Sequence, residues 1–367
     1  MYSENEKGII FIDNFDFATY KKKQSLLELI ENPSQLLDIL FVRNKSDLFL
    51  KVFTASEYEI IVNAVSSRVI DVIINNLEKL KISCITISSK DYPTNLINID
   101  TPPFVIYYKG DKNLLNSNNN FAIVGSRHIT NYGKLVTEKF TTELVKYGFN
   151  IVSGLAGGVD TVAHTQTIAC KGKTIGVLAG GLDEIYPKTN TNLAKQIIEG
   201  GGLILTETRP YKKTEPYMFP IRNRIISALS KGILVTEAQE KSGVIHTKNY
   251  AIEYGKDVFA VPGSIFSLTS VGTNQMISNG QAKAVTKIED ILNEYNISQK
   301  NYIKKQVCNF SMEESVIINL LQEGEKSFQE LVIATKYEVK TLNSLLTTLI
   351  IRGLIKKLAG NIYYLNS

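Results

Sequence analysis

Residues 219–247, FPIRNRIISALSKGILVTEAQEKSGVIHT, set Arg222 and Arg224 around an asparagine at the start of an apolar-periodic stretch. A β-branched run, Ile233 to Val235, then leads to Glu237 and a Ser242–Gly243 turn. Guanidiniums beside a helix start, with a glycine turn after a strand, suit phosphate groups. Gly125-Ser126-Arg127 follows the apolar run FAIV and precedes a helical stretch. There the helix start offers free N–H groups and Arg127 a cationic fork; the alternative is an ordinary strand-to-helix turn with a surface arginine. The loop Ser153 to Asp160 carries Gly154, Gly157 and Gly158, which permit close backbone approach to a ligand. It matches neither a Walker A sequence nor GxGxxG. Lys188, after Tyr186-Pro187, is either a phosphate contact or a solvated side chain, and Tyr186 and Phe219 either stack a base or pack inward. Asp160 and His164, four apart, suit a helix-stabilising carboxylate and a structural imidazole better than an acid–base pair. Glu237 has no nucleophile or metal set near it in sequence, so a hydrogen-bonding role is favoured.

These loops need strands and helices to hold them. Short β-branched runs alternate with helical stretches over residues 82–293, the pattern of a parallel α/β sheet. Strands are expected at 84–87, 105–108, 121–124, 150–152, 174–178, 203–206, 233–235 and 258–261. Residues 1–80 read as a small helical domain, because LLELIENPSQLLDILF and EYEIIVNAVSSRVIDVIINNLEKL repeat apolar positions near every 3.6 residues. The polar, lysine-bearing segment 294–309 reads as a linker. Residues 310–367 read as three helices and a ribbon, the order of a winged helix.

Composition narrows the class. The chain has 367 residues, is 44% hydrophobic and 21% charged, and contains no apolar run of membrane-spanning length. Its N-terminus carries acids where a secretory signal needs bases. Cys84, Cys170 and Cys308 lack metal spacing, and His128, His164 and His246 are scattered. A reducing cytoplasm is therefore expected, with no membrane association and no metal or cofactor. The net charge of +5 is concentrated: residues 121–290 hold 19 Lys+Arg against 14 Asp+Glu, leaving the remainder neutral in sum. The basic surplus thus coincides with the glycine loops, as a polyanion-binding domain requires.

Ordered strings through residues 82–293 resemble the DNA-processing protein A (DprA/Smf) family. They are YPTNLINIDTPPFVIYYKG (92–110), AIVGSRHITNYG (122–133), SGLAGGVDTVAH (153–164) and GKTIGVLAGGLDEIYPKTN (172–190). FPIRNRIISALS (219–230), EAQEKSG (237–243), GKDVFAVPGS (255–264) and SVGTNQMISNG (270–280) continue the series. The resemblance implies an extended Rossmann-like core with a mainly parallel sheet. A helical (SAM-like) N-terminal domain and a C-terminal winged-helix domain are expected to flank it. It also implies single-stranded DNA binding as a homodimer and delivery of the strand to RecA in natural transformation. Carried over, the DNA pocket would comprise Arg127, Lys188, Arg222 and Arg224 with Gly125, Ser126, Gly154, Gly157 and Gly158. The self-association surface would comprise Asn274, Met276, Ile277 and Ala284. The chain departs from the family pattern at TRPYKKTEPY (208–217), at His246-Thr247-Lys248 and at Gly280-Gln281-Ala282.

The expected activity is binding without turnover. Cations neutralise successive phosphates of one strand and read little sequence. A nucleotide-binding hydrolase of the lysine-decarboxylase-like phosphoribohydrolase type is the alternative. EAQEKSGVIHT, however, lacks that group's PGGxGTxxE signature. The C-terminal unit holds six basic and six acidic residues, so it lacks an electrostatic footprint for duplex DNA.

Overall fold

The computed structural model describes residues 2–30, 49–297, 311–351, 354–358 and 360–365. Nine strands form one sheet among the described residues: β1 (Ser83–Thr86), β2 (Val105–Gly110), β3 (Asn120–Val124), β4 (Asn150–Ser153), β5 (Thr174–Val177), β6 (Leu203–Thr206), β7 (Gly232–Val235), β8 (Asp257–Ala260) and β9 (Lys283–Ala284). Their order is β1-β2-β6-β5-β4-β3-β7-β8-β9. From β6 to β9 every neighbouring pair is parallel, while β1 and β2 add an antiparallel edge. The fold is thus mixed α/β with a large, mostly parallel sheet, as the alternation of apolar runs and helical stretches implied. Each expected strand is present to within one or two residues. The two-residue β9 escaped sequence reading, because Lys283–Ala284 carries no β-branched run.

The central strands are mostly apolar because both faces are covered; every residue of β3, β5, β6 and β7 is buried, with Asn120, Thr174 and Thr206 the polar members at the strand ends. After β3 the chain winds outward through β4, β5 and β6, and β7 then returns to the other side of β3. The winding therefore reverses between β3 and β7. In open α/β sheets, ligands occupy the crevice at the carboxyl ends of the strands at such a point.

Among the described residues, helices α1 (Glu4–Asp13), α2 (Tyr20–Leu29), α3 (Ala55–Ser66) and α4 (Val69–Lys79) precede the sheet. Ser3 and Glu6 close a capping box on α1, and Glu6 also accepts a 2.8 Å bond from Ser89 Oγ. The Tyr107 hydroxyl donates to Asp13 at 3.0 Å. One apolar cluster joins Ile9, Phe11 and Leu26 of these helices to Val105 and Tyr107 of β2, so they pack directly on the sheet. Most of LLELIENPSQLLDILF lies outside the described residues. Among the described residues, no single helix is long and apolar enough to cross a membrane.

The helices that frame the crevice are α5 (Asn131–Lys146), α6 (Val159–Ala169), α8 (Met218–Leu229), α9 (Val244–Glu253) and α10 (Val271–Ser278); α7 (Thr191–Glu199) lies between β5 and β6 in sequence. The chain divides into compact units at Met1–Asp290 and Ile291–Ser367. In the second unit, α11 (Met312–Gln322), α12 (Phe328–Thr335) and α13 (Val339–Ile351) surround Ile317, Leu321, Leu331, Leu346 and Ile355. Strands β10 (Lys326–Ser327), β11 (Ile355–Leu358) and β12 (Ile362–Leu365) form a small antiparallel sheet in the order β10-β12-β11. Most of the segment 294–309, expected to be a linker, lies outside the described residues.

Candidate nucleic-acid interface

A cavity of about 520 Å³ opens at the carboxyl ends of β3 and β7. Its walls are the turn Gly125 to His128, Ala156 and Asp160 of the second glycine loop, Phe219 to Asn223 on α8, and Gln239 to Val244 before and within α9. Tyr186 closes one side. The apolar periodicity of α8 fixes which side chains face the cavity. Ile225, Ile226, Ala228 and Leu229 go into the core, which leaves Phe219 and Asn223 on its open side.

The open cation of the cavity is Arg127. Its side chain is exposed, its guanidinium lies 5.0 Å from the Phe219 ring centroid, and among the described residues no carboxylate pairs with it. Phe219 in turn meets Tyr186 edge to face at 5.7 Å, and Tyr186 is 55% exposed. A guanidinium held on an aromatic face keeps its charge and its donors for a ligand. Opposite, α9 follows Gly243, which has no side chain to cap it; Ser242 Oγ accepts the Val244 N–H at 3.4 Å, and the first turn holds no acid to oppose an anion.

The other expected phosphate contacts are engaged by the protein itself. Arg222 is 4% exposed; its Nη1 donates to Gly154 O at 2.7 Å and to Val177 O, and burial pushes its guanidinium down to about 10. It pins the second glycine loop to the end of β5 and also lines the cavity. Arg224 is also 4% exposed and grips Glu207 with two bonds of 2.9 and 2.6 Å, adding Thr101 Oγ1 at 3.0 Å. Its charge is paired with Glu207, and it is not among the residues that line the cavity. Lys188 is exposed but pairs with Glu184 at 2.9 Å, outside that lining.

The glycine loops are similarly self-satisfied. The Ser126 N–H donates to Glu237 O at 2.8 Å, and its hydroxyl donates to His128 O at 2.9 Å. Gly125 is small because a Cβ would lie 2.5 Å from Val159 Cγ2. The Gly154 and Ala156 N–H groups donate to the Asp160 carboxylate at 3.1 and 3.3 Å. An anion thus already fills the concavity that the glycine spacing suggested for phosphate. Burial pushes the Asp160 carboxyl up, against the pull of Arg222. Gly157 remains open, and Gly158 starts α6 at φ +75°, where a Cβ would strike Ser126 O at 2.2 Å.

Two further polar groups take structural positions. Glu237 accepts from Thr130 N at 2.9 Å and Thr130 Oγ1 at 2.7 Å, which occupies the start of α5 with a protein carboxylate. Thr130 Oγ1 in turn accepts the Gly133 N–H in the first turn of α5 at 3.0 Å. His164 bonds Thr174 Oγ1 at 2.7 Å through Nδ1 and does not bond Asp160; burial pushes it down to about 3, so it is neutral.

Of the expected self-association residues, Asn274 faces inward and clamps Gly263 N and O at 3.1 and 3.0 Å, and Met276 is 4% exposed in the core. Ile277 is half-buried, and Ala284 is exposed on the edge strand β9. Sequence reading missed three exposed apolar residues just upstream, Ile265, Phe266 and Leu268. They interrupt no periodicity, and nothing in their spacing marks exposure.

Known proteins agree with this architecture. The family model for DNA recombination-mediator protein A matches residues 83–296. The DNA processing protein DprA of Bacillus subtilis is 46% identical over 213 residues, spanning 58% of this chain and 71% of that protein. The X-ray structure of DNA processing protein A from Streptococcus pneumoniae superposes with a TM-score of 0.66 at 33% identity, covering 79% of this chain and 97% of that one. The Helicobacter pylori homologue, whose structure describes a single-stranded DNA binding mode, matches with a TM-score of 0.54 at 32% identity, covering 59% of this chain and 96% of that one. Fold, motif order and these matches agree, and the chain belongs to the DNA recombination-mediator protein A family.

Proposed function

We propose that this chain binds single-stranded DNA in the crevice between β3 and β7, without turnover, and delivers the strand to a RecA recombinase in the cytoplasm during natural transformation. The observation that carries this reading is the stack of Arg127, Phe219 and Tyr186, facing the acid-free first turn of α9 across a cavity. Such a site offers a cation to phosphate and ring faces to unpaired bases, which is the sequence-tolerant chemistry of single-strand binding. The single-stranded DNA binding mode described for the Helicobacter pylori homologue supports the same ligand here. Gly157 lets the strand approach the backbone, and the exposed Lys188 adds cationic charge at the rim. Binding is favoured over hydrolysis because the crevice's carboxylates, Glu237 and Asp160, are already fixed by backbone and hydroxyl donors.

Two copies associate in this reading through the exposed edge of β9, with Ala284, Ile277 and the apolar loop Ile265 to Leu268 at the contact. Ala284→Arg then yields a folded monomer with weaker strand binding. The C-terminal unit, read as a winged helix of balanced charge, serves protein contact more than groove reading.

The test is retention of labelled single-stranded and duplex oligonucleotides across a salt series, beside an assay for nucleoside monophosphate cleavage. Tight, salt-dependent retention of single strands with no cleavage is expected. Preference for duplex, or release of base from a nucleoside monophosphate, contradicts the reading.

A further inference from the structure

Beside the crevice lies a second groove of about 400 Å³, formed by the segment Tyr211 to Thr214 against Gly181 and Asp183. Tyr186 lines both cavities, so the two are continuous across its ring. The segment is the stretch TRPYKKTEPY, in which the chain departs from the family pattern. It is held tightly: a Cβ on Gly180 would lie 2.1 Å from Thr214 Oγ1, and one on Gly181 would lie 3.0 Å from Arg209 O. Tyr211 sits at φ +64°, a left-handed conformation unusual for a bulky side chain. Asp183 holds it there by accepting the Tyr211 N–H at 3.0 Å. The outcome is a tyrosine ring that is 63% exposed, with no ring stacked on it among the described residues. Lys213 follows at 88% side-chain exposure, with Glu215 at 3.7 Å, and Lys212 pairs with the half-exposed Asp16 at 3.4 Å.

We propose that a single strand bound in the crevice continues over Tyr186 into this groove, stacks a base on Tyr211 and sets a phosphate against Lys213. The inference rests on the single-strand reading of the crevice and extends it to an exit path. An aromatic ring held outward by a strained backbone beside exposed lysines matches the alternation of stacking face and cation that an unpaired strand requires. Of the nearby acids, Asp183 is bonded to the backbone, Glu184 is paired with Lys188, and Glu215, 3.7 Å from Lys213, gives way to the phosphate.

The test compares Tyr211→Gly and Lys213→Ala with the parent chain by fluorescence anisotropy. The probes are oligothymidylates of about six and about twenty nucleotides, within and beyond the reach of a single small site. Glycine is at home at a positive φ, so Tyr211→Gly removes the ring without straining the fold. Tyr211→Gly is expected to weaken binding of the longer probe about tenfold and leave the shorter one unchanged. Lys213→Ala is expected to lower the salt slope of the longer probe by about 0.7. Parent-like affinity of Tyr211→Gly for the longer probe overturns the exit path, as does an equal loss on both probes. A parent chain that retains neither probe overturns the crevice reading itself, and the exit path with it.

Discussion

The turn after β3 and the start of α8 both carry arginines beside a helix start, yet the two regions use them in opposite ways. Arg127 stays in solvent on the face of Phe219, with no acid beside it among the described residues. Arg222 and Arg224, three and five residues after Phe219, turn inward to carbonyls and to Glu207. Motif type therefore says that a cation is near the site, and the hydrogen-bond inventory says whether that cation is available. A buried arginine with its donors engaged shapes the loop that a ligand meets, and an exposed one meets the ligand.

The largest expected effect lies on the buried side of this comparison. Arg222→Ala removes the donor that ties Gly154 to β5 and leaves Asp160 buried without its compensating charge. A loss of about 3 kcal/mol is expected in chemical denaturation. Arg224→Ala, which strands Glu207, is expected to cost about 2 kcal/mol. If either variant unfolds like the parent while losing strand affinity, the division into structural and ligand-binding arginines is broken.

A second effect tests the interior behind the loop. His164 is held neutral, its value lowered from 6.5 to about 3 by burial. The unfolded chain therefore binds one more proton than the folded chain between those values. Stability is complete above about pH 6.5 and falls as pH drops, by at most about 1.4 kcal/mol per unit from this group. His164→Asn should flatten that decline in denaturation curves taken between about pH 4 and pH 6.5. An unchanged pH slope would place the proton uptake elsewhere.

The fold was legible because β-branched runs and glycine turns are local signals. The strands and the loops at their ends follow from them, whereas the reversal between β3 and β7 emerges only from the strand order. Availability was not legible, because it depends on partners distant in sequence. Arg222 finds carbonyls 68 and 45 residues away, and Glu237 holds Thr130, 107 residues upstream, at the start of α5. The same distance hid the occupant of the second glycine loop: nothing in SGLAGGVD states that Asp160 folds back onto Gly154 and Ala156. Tyr211 is a further case, since neither its positive φ nor its exposure has a sequence signature in TRPYKKTEPY.

The smallest expected effect concerns the second compact unit. Truncation after Tyr295 should leave single-strand affinity within a few-fold of the full chain, because residues 310–367 carry equal numbers of basic and acidic side chains. Loss of most affinity on truncation would add that unit to the binding surface and shift the comparison away from the crevice.

The most direct test of the account is the salt dependence of single-strand binding by Arg127→Ala. Arg127 is exposed, so the variant should unfold within about 0.5 kcal/mol of the parent. Its affinity should fall about tenfold at low salt, and its log–log salt slope by about 0.7, the signature of one lost phosphate contact. Parent-like affinity and slope in this variant would contradict the claim that the open arginine on Phe219 holds the strand.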